Sequence, residues 1–183
     1  MKKQSKRVAI TKNNIETAYL DILAEKPAGK ITVKEVCSRS GVNRTTFYKY
    51  YKDAEDLGQI VRQSMFNEIE ELLKETIPPD YSDMFEFSSQ FISRVYRDER
   101  MRRFFILYHE NEFREKMEQL VRRYYFFPKY GRQASDEVQI QVAYCYSAFV
   151  GLMELWVGRG MNFSPEKIAN SVIAFDKSIR GLK

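Results

Sequence analysis

Apolar residues recur every three or four positions along most of the chain, and this spacing predicts helices rather than strands. The first run, from Ile15 to Leu23, predicts a helix over about 8–26 that ends at Pro27. Nowhere does a hairpin signal join two alternating runs of β-branched residues. The pattern therefore predicts an all-α protein.

Three further helix starts follow from capping chemistry. Thr32 with Glu35 three residues later is the capping-box pattern, in which each side chain binds a free amide at the helix start. This second helix should end at Gly41, because glycine adopts the left-handed conformation of a C-terminal cap without steric cost. Asn43 is placed to cap a third helix and Asp53 a fourth.

The remaining helices follow from the same spacing. The fourth helix should run to about 77, and others are predicted near 82–98, 100–109, 111–127, 136–158 and 165–180. Segment 136–158 is apolar around most of its circumference, so it needs a cover on two sides. Helix 165–180 has a single apolar stripe. A two-fold homodimer in which both helices meet their symmetry mates would cover them, so we predict dimerisation through these two segments.

Small residues in the middle of segment 136–158 have two interpretations. Ser147, Ala148 and Gly151 would let helix axes approach closely, or would leave room for a ligand. The sequence favours neither interpretation.

The second and third helices, joined by a turn at Gly41, form a helix-turn-helix. A step of about 100° per residue places four side chains on one arc and turns Phe47 inward; the four are Arg44, Thr45, Tyr48 and Lys49. Arginine can bind guanine edges, threonine can pack on thymine, and tyrosine and lysine suit phosphates. A charged surface helix with two half-buried tyrosines is the alternative.

The net charge of +5 is distributed unevenly. Residues 1–52 hold 12 Lys/Arg against 4 Asp/Glu, or +8, and 53–183 hold 18 against 21, or −3. Such a division indicates a polyanion bound by one end of the chain. Nucleic acid is the leading candidate, and an anionic membrane surface is the second.

The run ITVKEVCSRSGVNRTTFYKYYKDAEDL, Ile31 to Leu57, resembles the DNA-binding signature of the tetracycline-repressor (TetR) family. The resemblance covers roughly 8–68, and LMELWVGRGMNFSPEKIA is a looser match to the later helices of that family. It implies about nine helices, with a helix-turn-helix DNA-binding domain at 1–60 and a helical effector-binding and dimerisation domain at 61–183. It also implies a homodimeric transcriptional regulator that binds an inverted-repeat operator.

The resemblance assigns DNA contacts residue by residue. Thr32 would bind a phosphate at the start of the second helix, and Arg44 and Thr45 would face bases. Backbone contacts would come from Tyr48, Tyr50, Lys49 and Lys52, whereas Phe47 and Tyr51 would pack inward. One position departs from the family pattern, because Ala54 stands where many members have a phosphate-binding lysine. Lys52 or the basic segment 2–7 would then supply that contact.

The effector domain gives weaker signals. Aromatic residues are abundant, and Tyr108, Tyr125, Tyr144 and Phe149 are the candidates for an effector pocket, since tyrosine offers an apolar wall with a polar tip. Glu154, in the most apolar helix, could pair with a cationic ligand or lie at an interface rim. The predicted function is a repressor released by a small-molecule effector. The alternative is the same fold acting through a protein partner, as a co-regulator or activator.

Catalysis, metal binding and a cofactor are not expected. His109 is the only histidine, so a nucleophile would have one possible base, with no sign in the sequence of a residue to orient it. Cys37 and Cys145 are far apart and lack CxxC spacing, so they make a poor zinc site. Both cysteines are interpreted as small buried thiols in a reducing compartment. The chain has no run of 18 apolar residues, and its N-terminus lacks the apolar core of a signal peptide. We therefore expect a cytoplasmic protein with no membrane partner.

Overall fold

A computed structural model describes residues 2–77, 85–107 and 111–181. Within these ranges the chain forms only helices and turns, with no strand. The predicted all-α class is therefore confirmed.

Ten α-helical segments account for most of the described chain. They are α1 (Lys2–Leu23), α2 (Val33–Ser40), α3 (Arg44–Phe47), α4 (Ala54–Thr76), α5 (Phe85–Arg97), α6 (Glu99–Leu107), α7 (Asn111–Val121), α8 (Phe127–Tyr130), α9 (Asp136–Gly158) and α10 (Pro165–Gly181). A short 3₁₀ turn covers Ala28–Lys30, and a π-helical turn covers Arg122–Phe126. The bounds of α9 are those predicted.

The single helix predicted over 111–127 is divided into α7, the π turn and α8. Pro128, at the start of α8, has no amide hydrogen, and its ring excludes a regular bond to the carbonyl four residues earlier. The helix therefore cannot continue regularly through this point, and the π turn accommodates the extra residue. The first helix also differs, because it begins at Lys2 and ends at Leu23 instead of spanning 8–26.

The chain divides into two compact units between Met65 and Phe66, inside α4. In the first unit the apolar faces of α1, α2, α3 and the first turns of α4 meet in one core. Its fully buried side chains include Ile15, Leu20, Val36, Phe47, Leu57, Val61 and Met65. The predicted boundary near 60, between the DNA-binding domain and the effector-binding domain, stays a prediction, because it concerns the functions of the two parts and not their packing.

Gly58 brings the start of α4 close to α1. A Cβ atom at this position would lie 2.3 Å from the hydroxyl oxygen of Tyr19, well inside van der Waals contact. Tyr19 is buried, so its ring has little freedom to move aside. Glycine is therefore required here by packing, although it is a poor helix former.

In the second unit α5 packs along α10, and α6 packs against α9. The core contains Phe91, Ile92, Val95, Met101, Met153, Trp156 and Ile168. The Trp156 indole N–H donates to the carbonyl of Phe163 at 3.0 Å, and its ring stacks on Tyr96 with centroids 6.1 Å apart. Ser164 caps the start of α10, because its hydroxyl accepts the Lys167 amide at 3.3 Å.

Helix α9 leaves much of its apolar surface exposed. Ile140, Tyr144 and Leu155 are 68%, 61% and 50% exposed, and the small residues between them are exposed as well. The α9 stripe is the set Ile140, Tyr144, Ser147, Ala148, Gly151 and Leu155, which lie at helical spacing on one face.

Two expectations about α9 need adjustment. By length and composition alone, α9 could cross a membrane, although the sequence predicted no such segment. Only 11% of this window is buried, and one such helix is by itself weak evidence for a membrane span. Cys37 is buried as predicted, but Cys145 of α9 is only half-buried, since it lies beside the exposed side of the helix.

Candidate nucleic-acid interface

Helix α2 begins with the predicted capping box. The Glu35 amide donates to the Thr32 hydroxyl oxygen at 3.4 Å, and the Thr32 amide donates to the Glu35 carboxylate at 3.0 Å. The Thr32 hydroxyl also donates to that carboxylate, at 2.7 Å. The two donor groups of Thr32, its amide and its hydroxyl, are thus engaged by Glu35, so the phosphate predicted to bind Thr32 would compete with the Glu35 carboxylate.

Two ion pairs hold α2 against the end of α1. Lys26 binds Glu35 and Arg39 binds Glu25, each with a nitrogen–oxygen distance of 2.5 Å. The hydrogen bond from Lys26 and those from Thr32 lower the pKa of Glu35 to about 2. A depressed carboxyl pKa stabilises the fold fully above the ordinary value of 4.5, and this contribution is lost progressively as the pH falls from there toward 2. The ion pair between Lys26 and Glu35 is therefore fully formed at neutral pH.

The turn between α2 and α3 is made by Gly41. Its φ of 68° and ψ of 17° lie in the left-handed region, where a side chain is strained. The amides of Gly41 and Val42 both donate to the carbonyl of Cys37 and so close the end of α2. Asn43 then caps α3, accepting the Thr46 amide at 2.8 Å. These local bonds fix the direction in which α3 leaves the turn.

Phe47 anchors α3 in the core. Its side chain is fully buried, and its ring lies 5.5 Å from the rings of both Tyr48 and Tyr51. Tyr51 is also buried, and its hydroxyl donates to a carboxylate oxygen of Glu16 on α1 at 3.0 Å. The inward positions predicted for Phe47 and Tyr51 are confirmed, so the opposite side of this segment must face outward.

The outward side carries the four predicted side chains. Arg44, Thr45, Tyr48 and Lys49, here called the 44–49 arc, are all exposed, and Tyr48 is 56% exposed. Regular α-helix ends at Phe47, and tighter turns continue the arc through Lys49. Among the described residues, no carboxylate forms an ion pair with Arg44 or Lys49. The arc therefore presents uncompensated cations together with a hydroxyl and a phenol.

The segment that leads into α4 carries the remaining candidates. Tyr50 is half-exposed and Lys52 is exposed. Asp53 caps α4 by accepting the Asp56 amide at 2.8 Å, while Asp56 accepts the Lys52 amide at 2.9 Å. Ala54, at the position where a phosphate-binding lysine was expected, is the first residue of α4. The side chain of Lys52 is left to face solvent beside it.

Two lysines beside this surface were missed from the sequence. Lys34 is exposed in the first turn of α2, and its place next to Thr32 would have been the signal. Lys12 of α1 has its ammonium 5.6 Å from the ring centroid of Tyr50. No sequence signal points to this second contact, because the two residues lie far apart along the chain.

The candidate effector residues do not share one environment. Tyr125 is buried in the π turn, and its hydroxyl accepts from the Lys129 ammonium at 2.9 Å. Phe149 is half-buried, with its ring 5.9 Å from that of Phe91. Tyr144 belongs to the exposed α9 stripe, and Tyr108 lies outside the described residues. The pocket formed by these four therefore stays a prediction.

The two-unit helical architecture, with a capped helix-turn-helix at its N-terminus, is the fold of TetR-type transcriptional regulators. The resemblance found in the sequence is confirmed at the level of the fold. No protein-family model matches the chain.

Similar proteins agree on this fold. A solved TetR transcriptional regulator from Streptococcus agalactiae 2603V has a TM-score of 0.58 and 17% identity, covering 94% of this chain and 96% of its own. The fatty acid degradation regulator FadR from Bacillus halodurans has a TM-score of 0.60 and 13% identity, covering 88% and 92%. In sequence, 84 residues are 34% identical to YxbF of Bacillus subtilis (strain 168), an uncharacterized HTH-type transcriptional regulator. That match spans 44% of this chain but only 22% of the length of YxbF.

Proposed function

We propose that this chain is a cytoplasmic, DNA-binding transcriptional regulator that binds an inverted-repeat operator as a homodimer. A small-molecule effector would release it from the operator, so that it acts as a repressor. The observation that carries the proposal is the 44–49 arc, which projects from a rigidly capped helix on the basic end of the chain. Phe47 on the inner side and two ion pairs on α2 hold that arc in place.

The chemistry of the arc supports DNA in preference to a membrane surface. Arg44 has a planar fork of donors that matches the O6 and N7 atoms of guanine, and Thr45 offers a methyl group for thymine. Tyr48 and Lys49 suit phosphate oxygens. Binding to an anionic membrane surface would need only positive charge, so the turn at Gly41 would have no role in it. Vesicle binding that competes with DNA would favour that second partner.

The α9 stripe supports the homodimer. An apolar face of this extent is rarely left in water by a soluble protein. Phe175 of α10 is 63% exposed, so the neighbouring segment of the predicted interface also needs a cover. Two copies related by a two-fold axis would bury both surfaces and place two helix-turn-helix units on one duplex, with half-sites about 34 Å or a multiple apart.

Replacing Arg44 by alanine should relax sequence preference at one base position and weaken specific binding by about 1–3 kcal/mol. Replacing Lys52 by alanine is the matched comparison, because it should weaken all sequences alike and reduce the salt slope by about 1 per half-site. Fluorescence anisotropy with operator and random DNA at several salt concentrations measures both effects. If Arg44→Ala leaves specific and random binding equally intact, the 44–49 arc does not read bases.

Glu154 of α9 supplies a clue to the effector. Its carboxylate oxygen Oε1 is buried, and no described residue donates a hydrogen bond to it. An unsatisfied buried acceptor costs roughly 1–3 kcal/mol, which a cationic or hydrogen-bond-donating ligand could recover. Pairing across the rim of the dimer is the competing role of this residue.

The effector class can be tested through the fluorescence of buried Trp156. Amines and other cations should give a saturable change with the wild type, and Glu154→Gln should weaken that response at least tenfold because the ion pair is lost. Glu118→Gln on α7 is a control that removes a carboxylate elsewhere in the same unit. A saturable response that survives Glu154→Gln unchanged would exclude Glu154 from the site. If no small molecule produces a response, the protein-partner alternative is favoured.

A further inference from the structure

We propose that Lys12 of α1 binds a DNA phosphate beside Tyr50, so that the DNA-binding surface extends from the 44–49 arc onto the first helix. This inference rests on the proposed DNA binding and adds a contact that the sequence did not indicate. Its starting point is geometric, since the Lys12 ammonium lies 5.6 Å from the centroid of the Tyr50 ring.

The position of Lys12 is set by a second contact one helical turn away. Glu16, four residues later on the same face of α1, accepts the hydroxyl of buried Tyr51 at 3.0 Å. The rings of Tyr50 and Tyr51 lie 6.4 Å apart, and that of Tyr51 packs 5.5 Å from Phe47. This face of α1 is thus tied to the tyrosine pair that directly follows the 44–49 arc. Lys12 is therefore held at the end of the predicted DNA-binding surface.

The chemistry of the contact leaves the ammonium available. A cation over an aromatic face is stabilised by the ring quadrupole. This contact does not require any of the three N–H donors to bond to the ring. Lys12 is only half-buried, and among the described residues no carboxylate forms an ion pair with it. A phosphate could thus accept a hydrogen bond from Lys12 while the ring keeps the side chain in place.

The position of Lys12 on α1 separates it from the basic N-terminal segment. At 100° per residue, Lys6 lies about 120° around the helix from Lys12, and Arg7 lies about 140° away in the other sense. Neither of these cations shares the face that carries Lys12 and Glu16. The proposed contact is therefore distinct from any contribution of Lys6 or Arg7.

The test is the salt dependence of DNA binding by the full chain with Lys12→Gln. Loss of one phosphate contact should reduce the slope of log K against log salt by about 0.9 per half-site, or about 1.8 for a dimer. The same slope implies about fivefold weaker binding per half-site at 0.15 M salt, for operator and random DNA alike. Lys12→Arg should retain the wild-type slope because the charge remains.

Lys116→Gln is the matched control. Lys116 of α7 also places its ammonium over a ring, 5.6 Å from the centroid of Phe66, but it lies in the other unit and outside the predicted dimer interface. Its removal deletes the same charge and the same kind of contact, and it should leave the slope unchanged. Weaker binding by Lys12→Gln with an unchanged slope would overturn the phosphate contact and leave Lys12 only a positioning role. If wild-type protein binds DNA and Lys12→Gln equals it, the inference fails; if wild type binds no DNA, the proposed function itself fails.

Discussion

Phe47→Ala is expected to lower the free energy of unfolding of the N-terminal unit by about 3–5 kcal/mol. The ring is fully buried between α3 and the helices behind it, and it contacts Tyr48 and Tyr51 edge to face or tilted. Its removal leaves a cavity. Helices α1 and α2, which two ion pairs hold together, cannot collapse to fill it. Urea denaturation followed by far-UV circular dichroism measures the loss, and specific DNA binding should disappear with it.

Two further variants separate packing from DNA recognition. Phe47→Leu keeps most of the buried volume and should cost less than about 1.5 kcal/mol. Tyr48→Ala removes the adjacent exposed ring and its edge-to-face contact with Phe47, and should cost no more than about 1.5 kcal/mol. An unfolding midpoint for Phe47→Ala equal to that of the wild type would show that α3 is not anchored through this ring.

Tyr144→Glu on the α9 stripe should raise the dimer dissociation constant at least a hundredfold. A two-fold interface would contain the new carboxylate twice, and an uncompensated buried charge costs about 3–5 kcal/mol. Sedimentation velocity over a range of concentrations would show monomers where the wild type shows dimers. Since a monomer contacts one half-site, operator affinity should fall in parallel.

Gln119→Glu on α7 provides the control for added charge. Gln119 is exposed in the same unit and lies outside the α9 stripe, so this variant should dimerise as the wild type does. A dimer that survives Tyr144→Glu would refute the α9 interface. If that variant also lost the effector response, the small residues of the stripe would instead leave room for a ligand.

Local chemistry explains why much of the DNA-binding unit was predictable. The capping box at Thr32, the left-handed Gly41, and the caps at Asn43 and Asp53 each depend on residues within four positions of one another. The bounds of α9 followed from the helical spacing of its apolar residues. Because each signal lies within one or two turns of chain, sequence alone was sufficient.

The features that were missed depend on longer-range contacts or on competing local effects. The contact between Lys12 and Tyr50 joins two elements whose approach is set by packing of the whole unit. The π turn depends on how Pro128 and the aromatic rings before it are accommodated together. Helical periodicity alone predicts a regular helix there. At the end of α1, the amides of Glu25 and Lys26 both turn back to the Ile22 carbonyl, which closes the helix before the proline.

Gly58 and Tyr19 are coupled by packing, although no sequence pattern would pair the two positions. Helix propensity alone would favour alanine at 58 by about 1 kcal/mol, but the hydroxyl of Tyr19 occupies the space that a methyl group would need. In related sequences a larger residue at 58 should therefore accompany a shorter side chain at 19, such as phenylalanine. Positions 19 and 58 are thus expected to vary together during evolution, as a covariation signal that reports the spacing of α1 and α4.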